Sequence, residues 1–304
     1  MHKEQVALID GLFADPDIIY SLKYNKFYLY PTTDGIDNWG SSIFKCFSSK
    51  DLSSWKDEGV VLDLQSDVAW AKSMAWAPSV IERKLGEKYL YFFYFCAEKK
   101  IGVAFSESPV NGFKDKGTPL ITEKYRPTEA LNGQEIDPYV FHDKINDKYF
   151  IFWGNLYLAR AELEDDMINI KENTIKYITP DKTFREAISV FVRNGIYYYL
   201  WSENDTRDPD YRIRYGFSYS LDGPIIIPTD NIVIQQYESR NIFATGHNDV
   251  INIPGSDEWY LFYHRFCMTG KEKWNECSGF QREVCRSQLL FNSDGTIKQI
   301  KFED

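Results

Sequence analysis

Dense aromatic runs recur along the chain, and each run is entered from a polar turn signal. They cover residues 25–30, 87–91, 147–153, 194–201 and 257–263. Runs of this kind, rich in Phe, Tyr and Trp and preceded by Asn, Asp or Gly, predict strands entered from tight turns. Helical periodicity is almost absent, so the pattern predicts an all-β protein.

A second short segment precedes every aromatic run, and the five segments can be aligned on one another. They begin at positions 15, 77, 137, 187 and 247, which gives steps of 62, 60, 50 and 60 residues. A third strand follows in each unit, for example at 101–106 and 213–218. Five units of three or four antiparallel strands predict a five-bladed β-propeller, a single domain over residues 1–304 that closes near one terminus. One large β-sandwich is the alternative, although sandwiches rarely show a fivefold repeat of this length.

Composition and charge narrow the possible partners. The chain is 43% hydrophobic, which excludes a disordered protein. Its formal net charge of −10 argues against nucleic acid as a partner, because phosphate binding draws on clustered Lys and Arg. The longest apolar run, residues 89–97, is far shorter than the roughly 20 residues of a membrane-spanning helix, so no membrane association is expected. The sequence carries no signal for the oligomeric state.

Two features predict a cytoplasmic location. The first residues show no apolar stretch of the signal-peptide type, although a trimmed leader is compatible with this sequence. The five cysteines are an odd number without C-x-x-C spacing, which disfavours a disulfide framework and a zinc site. We interpret them as reduced thiols.

Unusual residues occupy the equivalent positions of the five units. The inner strand of every propeller blade begins near the central axis, so these positions are expected to converge on one cavity. Each residue alone has an ordinary explanation, as a turn aspartate, a core tryptophan or histidine, or a solvated glutamate. Their coincidence in the repeat favours a functional site made of Asp15, Trp76, Asp137, Glu186 and His247.

The residue types in this set suit the hydrolysis of a glycosidic bond. That reaction needs one protonated carboxyl group to protonate the leaving oxygen and one carboxylate to activate water. A third carboxylate nearby raises the pKa of the acid by charge repulsion. An indole packs against the C–H face of a sugar ring, and a negatively charged cavity stabilises an oxocarbenium-like transition state.

The motifs around these positions resemble glycoside hydrolase family 43, whose five-bladed propeller enzymes include β-xylosidases, α-L-arabinofuranosidases and arabinanases. The resemblance covers nearly the whole chain. It rests on Ala14-Asp15-Pro16, Trp76-Ala77-Pro78, Ile136-Asp137-Pro138, Arg185-Glu186-Ala187, Thr245-Gly246-His247 and Arg282.

The resemblance implies an inverting mechanism with assigned roles. Glu186 would be the general acid and Asp15 the general base, while Asp137 would tune the acid and orient the substrate. Trp76 would line the sugar subsite. Arg282 would reach the sugar, and a surface cation that pairs strands is an equally open explanation for it. His247 would lie on the propeller axis, contribute to substrate binding and hold a calcium ion partly through water, although one imidazole is a weak site for this cation.

The expected function is an exo-acting β-xylosidase or α-L-arabinofuranosidase that hydrolyses xylo- or arabino-oligosaccharides. The alternatives are an endo-arabinanase or an exo-galactosidase on the same scaffold, and a sugar-binding propeller without catalysis. The triplet Arg207-Asp208-Pro209 is similar to one in the invertase and levansucrase families, where it precedes the acid. Here it follows Glu186, so we interpret it as a loop.

Overall fold

The computed structural model describes residues 7–277 and 279–302 of the 304-residue chain. Its strands form five antiparallel sheets, four of them with four strands and one with three. In every sheet the strands neighbour one another in chain order. The predicted five-bladed β-propeller is therefore confirmed, and the sandwich alternative is wrong.

Each blade is one sheet of consecutive strands. Blade one contains β1 (Phe13–Ser21), β2 (Lys26–Thr33), β3 (Ile43–Ser49) and β4 (Lys56–Asp63). Blade two contains β5 (Trp76–Leu85), β6 (Lys88–Ala97), β7 (Lys100–Ser106) and β8 (Lys114–Asp115). Blade three contains β9 (Tyr139–Asp143), β10 (Lys148–Trp153), β11 (Ala159–Glu162) and β12 (Lys176–Tyr177). Blade four contains β13 (Glu186–Arg193), β14 (Ile196–Glu203), β15 (Arg212–Ser218) and β16 (Ile232–Ile234). Blade five contains β17 (Gly246–Asn252), β18 (Trp259–Phe266) and β19 (Arg282–Leu289).

Helical structure in the described residues is limited to single turns. The one short α-helix is Leu64–Asp67. The 3-10 turns are Asp37–Trp39, Glu123–Tyr125, Glu172–Thr174, Glu238–Arg240 and Trp274–Glu276. None of these helices is long or apolar enough to cross a bilayer.

The aromatic runs form the second strand of every blade and fill the space between blades. In blade four Tyr197, Tyr199 and Trp201 are almost fully buried, and they pack in one cluster with Phe141 and Phe152 of blade three. Large aromatic side chains dominate the apolar area that such a core removes from water. This packing fixes the angle between neighbouring sheets and therefore holds the inner strands around a common axis.

A left-handed residue marks the beginning of every inner strand. Positive φ angles of 42–60° occur at the five aligned positions, Asp15, Ala77, Asp137, Ala187 and His247. The pairing register shifts at this point in blades one, two, four and five, as in a β-bulge. A non-glycine residue adopts this conformation at an energetic cost, and a bulge redirects the neighbouring side chains. The bulge thereby turns side chains at or just before it towards the axis.

A ring of polar side chains lies two residues after each of the five left-handed positions and links blades around the axis. We call it the axial ring, and its members are Asp17, Ser79, Tyr139, Ser189 and Asp249. Asp17 Oδ2 accepts a hydrogen bond from Val80 N at 3.0 Å, and Ser79 Oγ accepts one from Val140 N at 3.0 Å. Asp249 Oδ2 accepts from Ile18 N at 2.9 Å, which joins blade five to blade one.

The propeller is also closed at its outer edge. The backbone N–H of Leu8 donates to the carbonyl of Val284 in β19 at 2.8 Å. A segment near the N-terminus thus adds to the third strand of blade five. This agrees with the expectation that residues near one terminus close the propeller.

Candidate active site

A cavity of about 400 Å³ lies where the inner strands begin. A cavity of this size is in the range of small-ligand sites. Its lining includes every site residue that the sequence predicted, namely Asp15, Trp76, Asp137, Glu186, His247 and Arg282. A second cavity of similar size, on the edge of blade four, contains none of them.

Asp15 is held through one carboxylate oxygen. Its Oδ1 accepts a hydrogen bond from Arg282 Nη1 at 3.1 Å, and Nδ1 of His247 lies 3.2 Å from the same oxygen. No described residue donates to Oδ2. Burial alone would raise the pKa of Asp15, but the charge of Arg282, together with His247 and His264, holds it well below its usual value. Asp15 is therefore an ionised carboxylate with one oxygen available to a water molecule.

Arg282 is fixed by a second carboxylate, Asp34. Its Nε donates to Asp34 Oδ2 at 2.9 Å and its Nη2 to Oδ1 at 3.2 Å, a two-point contact that suits a planar guanidinium. Only 3% of Arg282 is exposed, so its alternative explanation as a surface cation is wrong. The Asp34 contact orients the guanidinium towards Asp15.

Both carboxyl oxygens of Glu186 accept a hydrogen bond, whereas Asp15 is held through only one of its oxygens. Its Oε2 accepts a hydrogen bond from Asn155 Nδ2 at 2.5 Å, and its Oε1 accepts one from the Tyr211 hydroxyl at 2.9 Å. Burial raises the pKa of Glu186, against the opposing charge of Arg185 and the two hydrogen bonds. Glu186 is thus the carboxyl group that retains a proton more readily than Asp15.

Asp137 comes between Asp15 and Glu186 in the order of the repeat, and the charges of both residues act on it. The backbone N–H of Ala187 donates to its carboxyl group. Burial, followed by the charges of Glu186 and Asp15, raises its pKa well above the usual value. Repulsion from Asp137 was expected to keep Glu186 protonated, but burial is the first cause at both residues. A lowered pKa at Asp15 and raised pKa values at Asp137 and Glu186 are the kind of separation that acid and base catalysis requires.

Trp76 belongs to an aromatic wall on one side of the cavity. Its Nε1 donates to the carbonyl of Trp39 at 2.7 Å, and the Trp39 ring meets Phe280 edge to face at 5.5 Å. Trp39 also lines the cavity. The wall therefore joins blade one, blade two and the loop before β19.

His247 lies close to two of the carboxyl groups. Its Nδ1 is 3.2 Å from Asp15 Oδ1 and 3.9 Å from Asp137 Oδ2. Burial lowers the pKa of His247, more than the Asp15 charge raises it, so the ring is neutral at neutral pH.

The residues around His247 do not fit the calcium ion that was expected there. Ca²⁺ takes six to eight oxygen ligands, and the oxygen nearest to the ring already accepts from Arg282. Across residues 7–277 and 279–302, no three or more His, Cys, Asp or Glu side chains are grouped to hold a metal.

Several residues of the site were not predicted. Asn155 and Tyr211 hold Glu186, and Asp34 holds Arg282. The backbone N–H of Asp15 donates to Nδ1 of the buried His264 at 3.2 Å. Two of them could have been found from the repeat, because they occupy similar positions in their blades. Asp34 directly follows the second strand β2, and Asn155 lies two residues after the second strand β10.

The triplet Arg207-Asp208-Pro209 lies in the loop between β14 and β15, as interpreted from the sequence. Its first residue, Arg207, nevertheless lines the cavity together with Asp205 and Thr206. The neighbouring cations Lys99 and Arg185 line it as well. None of these five residues was predicted to line the cavity.

One carboxyl group of lowered pKa, one of raised pKa and an aromatic wall around one cavity are features of a glycoside hydrolase, here on a five-bladed propeller. The sequence agrees with this class. Residues 6–297 match the profile of the family described as glycosyl hydrolases family 43. The chain belongs to this family.

Individual relatives differ in the sugar that their names specify. A β-D-galactofuranosidase of Aspergillus niger is 30% identical over 94% of this chain and 82% of its own length. A xylosidase/arabinosidase of Bacteroides ovatus is 25% identical, with both chains covered completely. Among solved structures, an α-L-arabinofuranosidase of Clostridium thermocellum superposes with a TM-score of 0.76 at 26% identity, over 94% of this chain and 92% of that one.

Proposed function

We propose that the protein is an inverting, exo-acting glycosidase that releases xylose or arabinofuranose from short xylo- or arabino-oligosaccharides. The observation that carries this proposal is the contrast between Asp15 and Glu186 in one cavity, since burial and charge lower the pKa of the first and raise that of the second. The similarity to the Bacteroides ovatus xylosidase/arabinosidase over both full lengths supports the choice of a pentose.

The proposed reaction is a single displacement. Glu186 gives its proton to the glycosidic oxygen as the bond to the anomeric carbon breaks. Asp15 Oδ2 accepts a proton from the water that attacks the opposite face, while Arg282 holds Oδ1 in place. Asp137 accepts the Ala187 N–H and is positioned to hydrogen-bond the sugar in its protonated form.

The aromatic wall supports action on a chain end. Trp39 and Trp76 are joined by a hydrogen bond, and the Gly35 N–H donates to the carbonyl of Phe280 at 2.6 Å. These contacts join blade one, blade two and the loop before β19 along the aromatic wall. A fixed wall on one side of the cavity suits a terminal sugar, whereas an endo-acting enzyme needs a groove that is open at both ends.

A galactofuranosidase is the second candidate. The Aspergillus niger relative of that name shows 30% identity over 94% of this chain. The same carboxyl groups would serve a furanose ring of six carbons if the cavity accommodates its exocyclic carbon atoms.

Initial rates on 4-nitrophenyl glycosides of β-D-xylose, α-L-arabinofuranose, β-D-galactofuranose and β-D-galactopyranose test the proposal. We expect one of the first two to be hydrolysed fastest, with the Asp15→Asn variant inactive on all four. Proton NMR of the first product formed should show the inverted anomer. Fastest hydrolysis of the galactofuranoside would select the second candidate, and no turnover of these glycosides or of xylo- and arabino-oligosaccharides would favour a sugar-binding propeller.

We also propose that the protein works in the cytoplasm. All five cysteines are free, and Cys46, Cys96 and Cys285 are buried thiols. Free thiols persist in reducing compartments, whereas secreted proteins tend to pair them. Fractionation of the source cells, followed by detection of the protein with an antibody, tests this location.

A further inference from the structure

Three cations besides Arg282 line the cavity, although the chain as a whole is acidic. They are Lys99, Arg185 and Arg207. Lys99 lies in the two-residue turn between β6 and β7, where Glu98 and Lys99 both have positive φ angles. This turn geometry is that of a tight hairpin, so the backbone that presents Lys99 is fixed.

The two arginines share one carboxylate. Asp205 Oδ2 accepts from Arg185 Nη2 at 3.0 Å, while Arg207 contacts both Asp205 oxygens at 2.6 and 2.7 Å. Asp208 and Glu186 also act on Arg207 through their charges, and of these two only Glu186 lines the cavity. Lys99 forms no ion pair within the described part of the chain. Among the described residues, Asp205 is therefore the one carboxylate that forms an ion pair with any of these three cations.

Several donors of this group have no acceptor. Arg185 Nε is buried and makes no hydrogen bond to any described residue. Nη1 of Arg185 and Nη1 of Arg207 likewise make none within residues 7–277 and 279–302. Buried polar groups in native proteins are nearly always paired, so the buried Nε of Arg185 beside the cavity is available to an acceptor on a ligand, and Arg207, whose side chain is 63% exposed, has a donor that a ligand can reach.

Two of the cations, Arg185 and Arg207, act on the general acid, and Lys99 lines the same cavity. Arg185 directly precedes Glu186, and the charges of Arg185 and Arg207 both act on Glu186. A general acid protonates the oxygen of the departing group, so the departing sugar lies next to it. A Cβ at Gly279 would come within 2.6 Å of Arg207 Cγ, which shows how closely the loop before β19 holds the Arg207 stem.

We propose that the leaving-group side of the cavity binds an anionic sugar, in the first place the carboxylate of a hexuronic acid, through Lys99, Arg185 and Arg207. A planar guanidinium presents paired N–H groups that match a carboxylate. Asp205 fixes both arginines and leaves their remaining N–H groups for the ligand. The inference rests on the proposed function, because it takes Glu186 as the acid. It adds that substrates carry a uronic acid next to the sugar that is released.

The first test compares two disaccharides that differ only at C6 of the departing sugar. Both contain the preferred terminal sugar of the enzyme, linked in one case to glucuronic acid and in the other to glucose. We expect kcat/KM for the uronic acid to exceed that for glucose by about tenfold, the effect of one charge-assisted hydrogen bond. Lys99→Gln and Arg207→Gln should each reduce this ratio severalfold. Lys144→Gln, at an exposed lysine outside the cavity, should preserve it.

A binding measurement separates this inference from the proposed function. NMR titration of the Glu186→Gln variant with D-glucuronate, D-glucose 6-phosphate and D-glucose requires no turnover. We expect both anions to bind at least about fivefold more tightly than glucose, and Lys99→Gln to remove the difference. Tighter binding of D-glucose 6-phosphate than of D-glucuronate would show that the preferred ligand is a phosphate ester. The proposed anionic subsite would then still be supported.

The two proposals fail in different ways. If neither disaccharide is hydrolysed but glucuronate binds in a Lys99-dependent manner, the proposed glycosidase is wrong and the anionic subsite stands. If both disaccharides are hydrolysed with equal kcat/KM and glucuronate binds no better than glucose, the anionic subsite is wrong and the glycosidase stands.

Discussion

Arg282 and Asp15 lie 267 positions apart in the chain and form a buried ion pair, with Nη1 3.1 Å from Oδ1. The pair links the first strand of blade one to the last strand of blade five, at the point where the propeller closes. The charge of Arg282 also lowers the pKa of Asp15 against the effect of burial. Closure of the fold and ionisation of the proposed base therefore depend on the same contact.

The Arg282→Gln substitution should move the acid limb of the pH–activity profile to higher pH. The base acts only when it is ionised, so kcat/KM falls as pH drops through the pKa of Asp15. In the wild type that pKa lies well below the usual value of about 3.9. Without the guanidinium, burial raises it, and activity is lost at a higher pH. Profiles of kcat/KM for both proteins check this result.

The matched control for that substitution is Arg160→Gln. Arg160 is also buried and pairs with Asp222, but it does not line the cavity. Both substitutions remove a buried guanidinium together with its hydrogen bonds, so both should destabilise the fold. Only Arg282→Gln should shift the acid limb, and an equal shift in the two variants would show that the effect is structural.

The Glu186→Gln substitution should lower kcat/KM far more for substrates with poor leaving groups than for substrates with good ones. A leaving oxygen of an oligosaccharide needs a proton as the bond breaks, and a general acid contributes about 10²–10⁴-fold. A 4-nitrophenolate leaves without one. We therefore expect kcat/KM to fall by about 10³-fold on an oligosaccharide and by much less on the aryl glycoside. Equal losses on both substrates, measured side by side, would contradict the role of Glu186 as the acid.

The Tyr211→Phe substitution should move the basic limb of the profile to higher pH. The Tyr211 hydroxyl donates to Glu186 Oε1, which stabilises the ionised carboxylate and opposes the rise that burial causes in the pKa of Glu186. Removal of this donor raises that pKa further, so the acid keeps its proton to a higher pH. The control is Tyr94→Phe, which removes a buried hydroxyl that donates to the carbonyl of Met167, away from the cavity. An unshifted basic limb in Tyr211→Phe would remove Tyr211 from the tuning of the acid.

The repeat in the sequence made much of the site predictable. Asp15, Trp76, Asp137, Glu186 and His247 were found because equivalent positions of a propeller meet at its axis, and all five line the cavity. The same alignment also contained the axial ring at its third position. Its role was not predicted, because the partner of each side chain belongs to another blade, a backbone N–H for Asp17, Ser79 and Asp249 and an oxygen acceptor for Tyr139 and Ser189.

Contacts between distant residues could not be read from the repeat. Asp34 and Arg282 are 248 positions apart, and nothing local to Arg282 shows that a carboxylate buries it. Tyr211 and Arg207 come from the loop between β14 and β15, which has no counterpart in the aligned segments. A raised pKa at Glu186 was expected from the charge of Asp137, whereas burial is the first cause of the raised pKa at both residues. The degree of burial follows from the packing of five blades, which no single segment determines.

The axial ring should make the stability of the protein depend on pH. Burial raises the pKa of Asp249 to about 6 and that of Asp17 well above its usual value, the second with added repulsion from Asp249. An unfolded aspartate has a pKa of about 3.9. The folded state therefore binds more protons than the unfolded state between these values, and its free energy of unfolding decreases as pH rises from about 4 through about 6.

The Asp249→Asn variant should show a weaker decrease, because an amide is neutral at every pH. In the wild type, Asp249 alone should lower the free energy of unfolding by about 3 kcal/mol as pH rises through this range, since one pKa unit corresponds to about 1.4 kcal/mol. Urea unfolding at a series of pH values measures it. Ser189→Ala is the matched control, because it removes the hydrogen bond to Asn248 Oδ1 in the same ring without touching Asp17 or Asp249. It should lower the free energy of unfolding by about 1 kcal/mol at every pH. A wild-type slope in Asp249→Asn would show that the pH dependence arises elsewhere.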